Sequence, residues 1–246
     1  MKQELIGRLR EKLARSEHAV FFGGAGVSTA SGIPDFRGSA GLYTTSEEES
    51  PEYLLSDTCL EREPERFFDY YRRNMLHPEA KPNPAHFALA EMERRGILKA
   101  VVTQNIDGLH QAAGSVNVLE LHGSTARNYC MKCRTPAESD YIASTGGIPR
   151  CETCGGIVRP DVVLYGEFLP ADVFGRAREE IESADFLMVG GSSLTVNPAA
   201  SLIARFGRRR DGEKTLVIVN FDETPFDDWA DAVIRESVAE VLPALL

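Results

Sequence analysis

The hydrophobic positions of this chain fall into five short runs that are rich in valine and leucine. The runs read HAVFFGG, LKAVVTQN, VLELHG, DFLMVGGSS and KTLVIVN. None of them alternates cleanly between apolar and polar residues, and such runs are typical of strands that are buried on both faces. The pattern therefore predicts a parallel sheet that is covered by helices on both sides.

Helical periodicity fills the intervals between these runs. The segment NPAHFALAEMERRG ends at a glycine that can cap a helix, and DVFGRAREEIESA is a second helical stretch. The N-terminal segment places Leu5, Leu9 and Leu13 along one side of a surface helix. Strands that alternate with helices predict an α/β fold, here a doubly wound, Rossmann-like parallel sheet.

Two segments interrupt this alternation. Residues 41–84 carry charged and aromatic helical sequence, and residues 128–158 contain four of the five cysteines. We interpret both as insertions that together form a small lobe, one helical and one metal-binding. The Rossmann-like domain then comprises residues 1–40, 85–127 and 159–246.

Composition and charge narrow the classes of partner. The chain has 246 residues, 43% of them hydrophobic, and a formal net charge of −10. Nucleic-acid binding needs clustered Lys and Arg, so this charge argues against DNA or RNA. The sequence contains no apolar run of membrane-spanning or signal-peptide length. We expect a cytoplasmic monomer that binds neither nucleic acid nor membrane.

The cysteines form two CxxC units, CMKC and CETC, which supply Cys130, Cys133, Cys151 and Cys154. Four thiolates at this spacing satisfy a tetrahedral Zn²⁺ ion and leave no coordination position open, so the spacing predicts one structural zinc ion. A redox CxxC and a nucleic-acid zinc ribbon are the alternatives; the second CxxC disfavours the former and the acidic charge disfavours the latter. Cys59 stands alone, and we expect it to be a half-buried structural thiol.

A glycine-rich loop follows the first predicted strand. Gly23, Gly24 and Gly26 allow a pyrophosphate to approach the backbone closely, and Ser28 or Thr29 could donate to phosphate at the start of the next helix. The third glycine of the dinucleotide fingerprint is absent, which disfavours a dehydrogenase. The absence of a GK[ST] sequence excludes a P-loop.

Polar sequence follows every predicted strand: GGAGVS, TQNID, HGS, GGSS and NFDE. The carboxyl ends of parallel strands meet at one edge of a sheet, so these five segments are expected to line one crevice. The sequence thus predicts a nucleotide site there.

Together these motifs resemble the signature series of one family. GAGVSTASGIPDFRG, TQNIDGLH, LELHG, the paired CxxC units, VVLYGE, GGSSLTVNPAA and VNF are similar, in this order, to those of bacterial-type sirtuins, which are NAD-dependent protein lysine deacylases. The resemblance covers about residues 18–235. It implies that the glycine loop binds NAD and that the nicotinamide bond is broken rather than reduced.

The resemblance also implies the residues that bind NAD. Those beside the phosphates, the nicotinamide ribose and the nicotinamide carboxamide are Gly24, Ala25, Gly26, Thr29, Phe36, Arg37, Gln104, Asn105, Ile106 and Asp107. Those beside the adenosine half are Gly191, Ser192, Ser193, Asn220, Phe221 and Val233.

The substrate and the chemistry follow from the same resemblance. A strand VVLYGE, including Val162, Tyr165 and Gly166, would pair with the acyl-lysine peptide, although Tyr165 stands where the family more often has Phe. His122 would act as the general base, with Asn105 beside it. The products would be free lysine, nicotinamide and 2′-O-acyl-ADP-ribose.

The acyl preference depends on an alignment choice. Sirtuins that prefer negatively charged acyl groups carry Tyr-x-x-Arg on the helix of the small lobe. Counting from the aromatic pair places Phe68 and Tyr71 at these positions, which favours neutral acyl groups; counting back from Pro82-Asn83 places Tyr70 and Arg73 there, which favours charged ones. We favour Phe68 and Tyr71 because loop lengths vary more readily than helix register.

The sequence leaves other activities open and contains four further histidines. A desuccinylase or demalonylase, a mono-ADP-ribosyltransferase and a non-catalytic NAD-binding module are the alternatives to a deacetylase. Among the remaining histidines, we expect His86 and His110 to support structure and His18 and His77 to lie at the surface.

Overall fold

The computed structural model describes residues 2–35, 49–207 and 214–246. These residues contain nine strands, six of which form a parallel sheet in the order β3–β2–β1–β7–β8–β9. Its strands are β1 (Ala19–Gly23), β2 (Leu98–Thr103), β3 (Val118–Glu120), β7 (Phe186–Gly190), β8 (Thr215–Val219) and β9 (Ala232–Ile234). This is the Rossmann-like order, and the direction of winding reverses between β1 and β7, where such folds bind ligands.

Helices cover both faces of the parallel sheet, as the continuous apolar runs predicted. On one face Phe21 packs in a cluster with residues of α1 (Lys2–Arg15), α5 (Pro84–Arg94) and α10 (Val238–Ala244). On the other, Val20 packs with residues of α8 (Ala171–Ser183) and α9 (Ser201–Phe206). Helix α5 ends as expected, with Gly96 at a φ of +73° just beyond it.

A second, three-stranded antiparallel sheet lies outside the Rossmann-like sheet. Its order is β5–β4–β6, formed by β4 (Gly123–Cys130), β5 (Pro136–Ala137) and β6 (Val158–Val162), and a short helix, α7 (Tyr141–Ser144), follows β5. Strand β4 begins before residue 128, so it crosses the boundary that we predicted between the large domain and the metal-binding insertion. The division into domains stays a prediction.

The helical insertion consists, in its described part, of α2 (Pro51–Leu54), α3 (Asp57–Arg62) and α4 (Pro64–Asn74). Helix α4 starts at a proline and buries four aromatic side chains, Phe67, Phe68, Tyr70 and Tyr71. They form one hydrophobic cluster with Ile142 and Leu164 of the neighbouring segments. Cys59 is a free thiol that is fully buried in this cluster rather than half-buried.

The remaining helix, α6 (Leu109–Ala112), follows β2 and packs against α5. Within the described ranges, no helix is both long enough and apolar enough to cross a membrane.

Candidate active site

The glycine loop after β1 packs backbone to backbone against the loop after β7. A Cβ atom at Gly24 would lie 2.7 Å from the carbonyl oxygen of Gly191, and one at Gly26 would lie 2.7 Å from the Gly191 Cα. The Gly26 N–H also donates to the Gly191 carbonyl at 2.9 Å. The glycines thus bring two loops together where the strand order reverses.

Gln104 joins the loops after three strands. Its backbone N–H donates to the Gly23 carbonyl at 3.0 Å, and its side-chain amide donates to the Ser192 hydroxyl at 2.9 Å. Its own carbonyl lies 2.9 Å from Nδ1 of His122. The structure therefore brings together residues that the sequence separates by 169 positions, from Gly23 to Ser192.

His122 is half-buried between β3 and β4. A carbonyl can only accept a hydrogen bond, so the contact to Gln104 places the imidazole proton on Nδ1 and leaves the Nε2 lone pair to act as a base. Burial lowers the pKa of His122, and the hydrogen bond to Gln104 opposes that shift. Gly123 must be glycine because its φ is +76° and a Cβ there would lie 2.0 Å from the Asp161 carbonyl oxygen.

A second network links Asn105, Asp107 and Ser28. The Ser28 hydroxyl donates to the Asp107 carboxylate at 2.6 Å, and the Asn105 side-chain amide donates to the same hydroxyl at 3.0 Å. The other oxygen of Asp107 accepts from the Leu109 N–H at 2.9 Å. Ser28 is buried and its hydroxyl donates to Asp107; that Ser28 or Thr29 donates to a phosphate stays a prediction.

Ser28 is thus a site residue whose role the sequence did not reveal. Its position after two glycines suggested a phosphate donor, and only the return of the chain at residues 105–107 shows its actual partners. Thr29 is exposed, and its hydroxyl bonds back to the Gly26 carbonyl at 3.0 Å.

The predicted adenosine side lies at the ends of β7, β8 and β9. The Gly191 N–H donates to the Val219 carbonyl, and the Asn220 N–H donates to the Ile234 carbonyl, which holds these ends in register. Phe221 is 67% exposed and Val233 is half-buried. The remaining predicted contacts, Ala25, Ile106 and Ser193, are half-buried, whereas Phe36 and Arg37 lie outside the described residues.

The predicted peptide-binding segment begins beside His122. Strand β6 pairs Val162 with Gly123, and the Val163 N–H donates to the His122 carbonyl at 2.9 Å. The expectation that VVLYGE is a strand is wrong beyond Val162, where β6 ends. Tyr165 instead forms an isolated bridge to Ser56, and Gly166 turns the chain with a φ of +95°.

The four cysteines form one compact cluster in which all Sγ atoms lie within 4.8 Å of one another. Tetrahedral coordination at about 2.3 Å per Zn–S bond would separate the sulfurs by about 3.8 Å, and the Cys130–Cys154 and Cys133–Cys151 pairs lie at 3.5 and 3.6 Å. A Cβ at Gly156 would lie 3.0 Å from the Cys130 sulfur, so a side chain there would crowd the cluster. The donor set and its spacing fit the structural zinc ion.

A pair of buried histidines, one from α5 and one from α6, lies where these two helices pack together. The rings of His86 and His110 are 4.8 Å apart and tilted by 61°. His86 Nδ1 accepts from the Asn83 N–H and so caps α5, whereas neither ring nitrogen of His110 bonds to any described residue. His86 supports structure through this cap, as expected, whereas the structural role of His110 stays a prediction; His18 and His77 are half-buried.

This pair predicts an acid-sensitive stability. Burial lowers the pKa of His110 from 6.5 to about 3, and His86 adds to the shift. Below about pH 6.5 His110 therefore takes up a proton in the unfolded chain but not in the folded chain. The contribution of neutral His110 to the free energy of unfolding is complete above pH 6.5 and is lost towards pH 3. Relative to wild type, His110→Phe should reduce the loss of unfolding free energy between about pH 7.5 and 5.5 by about 1 kcal/mol.

Urea unfolding at the two pH values measures this difference. His77→Gln is the matched control, because it removes a half-buried histidine whose hydrogen bond is to the nearby Asn74 carbonyl, and it should lose stability as wild type does between the two pH values. An equal loss of stability in wild type and His110→Phe would contradict the assignment.

Comparison with known proteins agrees with this geometry. Residues 24–198 match the model of the Sir2 family. The chain is 51% identical over 239 residues to an NAD-dependent protein deacetylase of Clostridium perfringens, covering 96% of each chain, and 50% identical to one of Clostridium acetobutylicum, covering 98% of each. A solved structure of Sir2 with a p53 peptide and NAD⁺ superposes with a TM-score of 0.84 at 37% identity, covering 96% of this chain and 95% of that one. The predicted resemblance is confirmed: this chain belongs to the Sir2 family.

Proposed function

We propose that the crevice at the carboxyl ends of the parallel strands catalyses NAD-dependent deacylation of protein lysines, with deacetylation as its main reaction. The observation that carries this proposal is the placement of His122. Its Nδ1 is held by the Gln104 carbonyl, its Nε2 retains a lone pair, and its backbone bonds to the segment assigned to the peptide. A neutral base is thereby positioned where nucleotide loops and peptide segment meet.

The co-substrate NAD supplies an electrophilic ribose carbon, C1′, with nicotinamide as the leaving group. Asn105 and Asp107 lie at the nicotinamide side, and Ser28 fixes the orientation of both. His122 accepts a proton from a ribose hydroxyl through Nε2 and is well suited to do so near neutral pH, because burial keeps its imidazole uncharged.

Neutral acyl groups are the proposed substrates. Phe68 and Tyr71 are both buried in the cluster that includes Leu164 of the peptide segment. Arg73, the residue that would pair an acyl carboxylate in the alternative register, is exposed at the end of α4, and its Nε donates to the Asp69 carbonyl at 3.3 Å. This placement supports the register with Phe68 and Tyr71.

One assay tests the reaction. The protein is mixed with NAD and an acetyl-lysine peptide, and nicotinamide release and peptide mass are followed together. Loss of the acetyl group with equimolar nicotinamide supports deacetylation. A protein that gains the mass of ADP-ribose would instead indicate a mono-ADP-ribosyltransferase. No nicotinamide release and no change of mass would indicate a non-catalytic NAD-binding module.

The acyl preference is tested with acetyl, butyryl and succinyl forms of the same peptide. We expect the succinyl peptide to have a kcat/KM at least about tenfold below that of the acetyl peptide, and Tyr71→Arg to narrow this gap by providing a charge-assisted hydrogen bond to the acyl carboxylate. Arg73→Gln is the matched control and should leave the ratio unchanged. A loss of succinyl activity in Arg73→Gln alone would favour the Tyr70 and Arg73 register.

The same proposal includes the cellular setting. The chain acts as a cytoplasmic monomer on acyl-lysine proteins, and its net charge of −10 supports the expectation that it does not bind nucleic acid. Light scattering coupled to gel filtration measures the molar mass in solution and so tests whether the protein is a monomer.

A further inference from the structure

Arg159 makes a dense set of hydrogen bonds around the peptide segment. It lies in β6, is only 7% exposed, and forms a bidentate ion pair with the Glu167 carboxylate at 2.5 and 2.9 Å. Its guanidinium also donates to the Val162 carbonyl at 2.7 Å and to the Pro160 carbonyl at 3.2 Å. Glu167 in turn accepts from the Leu164 N–H at 2.8 Å.

These bonds close residues 162–167 into a fixed loop. One guanidinium holds the carbonyl at the start of the loop and the carboxylate at its end, and that carboxylate holds the N–H of Leu164. Arginine suits this role because its planar donors match a carboxylate and a carbonyl simultaneously.

The opposite edge of the loop is held by the helical insertion. The Tyr165 N–H donates to the Leu55 carbonyl at 3.1 Å, and the Tyr165 carbonyl accepts from the Asp57 N–H at 3.0 Å. A Cβ at Gly166 would lie 2.6 Å from the Asp57 carboxylate, so the chain passes closely here. With the backbone of Tyr165 committed, a peptide has to pair with the remaining groups of the loop, above all those at the exposed Gly166.

The Arg159 side chain is 8% exposed and the Glu167 side chain 29%, so this ion pair is only partly buried. Such a pair is a weak source of net stability, because desolvation, chiefly of Arg159, offsets much of the attraction. Burial alone would raise the pKa of Glu167, but Arg159 and the Leu164 N–H hold it below its usual range. The pair therefore stays ionised, and what it provides is a fixed geometry rather than a large free energy of folding.

We propose that Arg159 and Glu167 are positioning residues that hold residues 162–167 in the shape that receives the acyl-lysine peptide. This inference rests on the proposed function, because the peptide is assigned to this segment there. Preorganising a binding loop increases affinity by removing the cost of ordering it when the ligand binds. Loss of the pair should therefore weaken peptide binding more than any other step.

The test uses Arg159→Met, Arg159→Lys and Glu167→Gln in the zinc-loaded protein. We expect Arg159→Met to raise the KM and the directly measured Kd for an acetyl-lysine peptide about tenfold, the scale of losing charged hydrogen bonds. Arg159→Lys and Glu167→Gln keep part of the network and should give smaller increases. The kcat and the Kd for NAD should change less than about twofold, because the contacts of His122 and Gln104 remain.

Arg127 provides the matched control. It lies in the neighbouring strand β4, lines the same cavity of about 550 Å³ as Arg159, and also contacts two carboxylates, those of Glu120 at 2.7 Å and Asp161 at 2.8 Å. It is half exposed and does not bond to the peptide segment. Arg127→Met should leave peptide affinity within about twofold of wild type, as exposed ion pairs contribute little.

Fluorescence anisotropy with a labelled peptide gives Kd, and zinc content and melting temperature check the fold. Unchanged peptide affinity in Arg159→Met, or in both milder variants if Arg159→Met does not fold, would overturn the inference, as would an equal loss of peptide and NAD affinity. A double variant, Arg159→Met with Glu167→Gln, should bind no more weakly than Arg159→Met alone; additive losses would show that the two residues do not act as a pair. Failure of the proposed function is distinguishable, because wild type itself would then neither bind nor deacetylate the peptide.

Discussion

Replacing His122 by alanine should reduce kcat by about 10²–10⁴-fold, the usual contribution of a general base. The fold and the affinity for NAD should persist, because within the described residues the His122 side chain hydrogen-bonds to the Gln104 carbonyl alone, and Gln104 remains anchored to Gly23 and Ser192. Steady-state turnover of an acetyl-lysine peptide, with NAD binding measured separately by calorimetry, separates the two effects.

The pH profile adds a second signature. Because burial lowers the pKa of His122, the acid limb of kcat/KM in wild type should lie below the ordinary histidine value of 6.5. His77→Ala, which removes a histidine far from the crevice loops in sequence, should retain the wild-type rate and profile. Near-normal turnover in His122→Ala would show that another residue acts as the base.

Removing zinc should produce the largest structural effect. Structural zinc binding is worth about 10–16 kcal/mol in zinc-finger peptides, whereas the apolar cluster around this site has Val158 and two of the cysteines as its buried members. A chelator, or Cys151→Ser, should therefore unfold the segment between β4 and β6 and lower the melting temperature.

The loss of zinc should also disturb the active site. Strands β4 and β6 lead directly from the cysteines to Gly123 and Val162, and Arg72 of α4 donates to the carbonyls of Ile142 and Gly147. Deacetylase activity should fall at least about tenfold on chelation and return with Zn²⁺. Cys59→Ser is the control and should keep full zinc content; an apo protein with unchanged melting and activity would contradict the structural role.

Much of the fold could be predicted from local sequence. The runs around Val20 and Val217 lack polar alternation because both faces of a parallel sheet are covered, and this requirement acts on every residue of the strand. The cysteine spacing was equally informative, because a metal ion with fixed bond lengths leaves few arrangements of two CxxC units. Both features depend on neighbours in the chain and can be recognised without knowing the rest of the structure.

The site could be predicted only in part. The motifs pointed to His122 and Asn105, whose catalytic roles stay predictions. The sequence also offered Ser28 or Thr29 as a phosphate donor and continued β6 through Tyr165. Both positions form hydrogen bonds to distant segments that the sequence did not reveal: Ser28 bonds to Asp107, and Tyr165 bonds to Leu55 and Asp57. A polar side chain in a loop has many candidate partners, and its own sequence does not choose among them.

The sequence by itself thus determined the layered sheet, the zinc ligands, the family and the residue types available for chemistry. Tertiary structure alone decided which of those residues meet: the Gly26 and Gly191 backbones in contact, His122 with its proton fixed on Nδ1, and Arg159 closing residues 162–167 through Glu167. The physical reason is that burial patterns are local and repeat along the chain. The geometry of a site, in contrast, depends on where distant loops come together when the whole core packs.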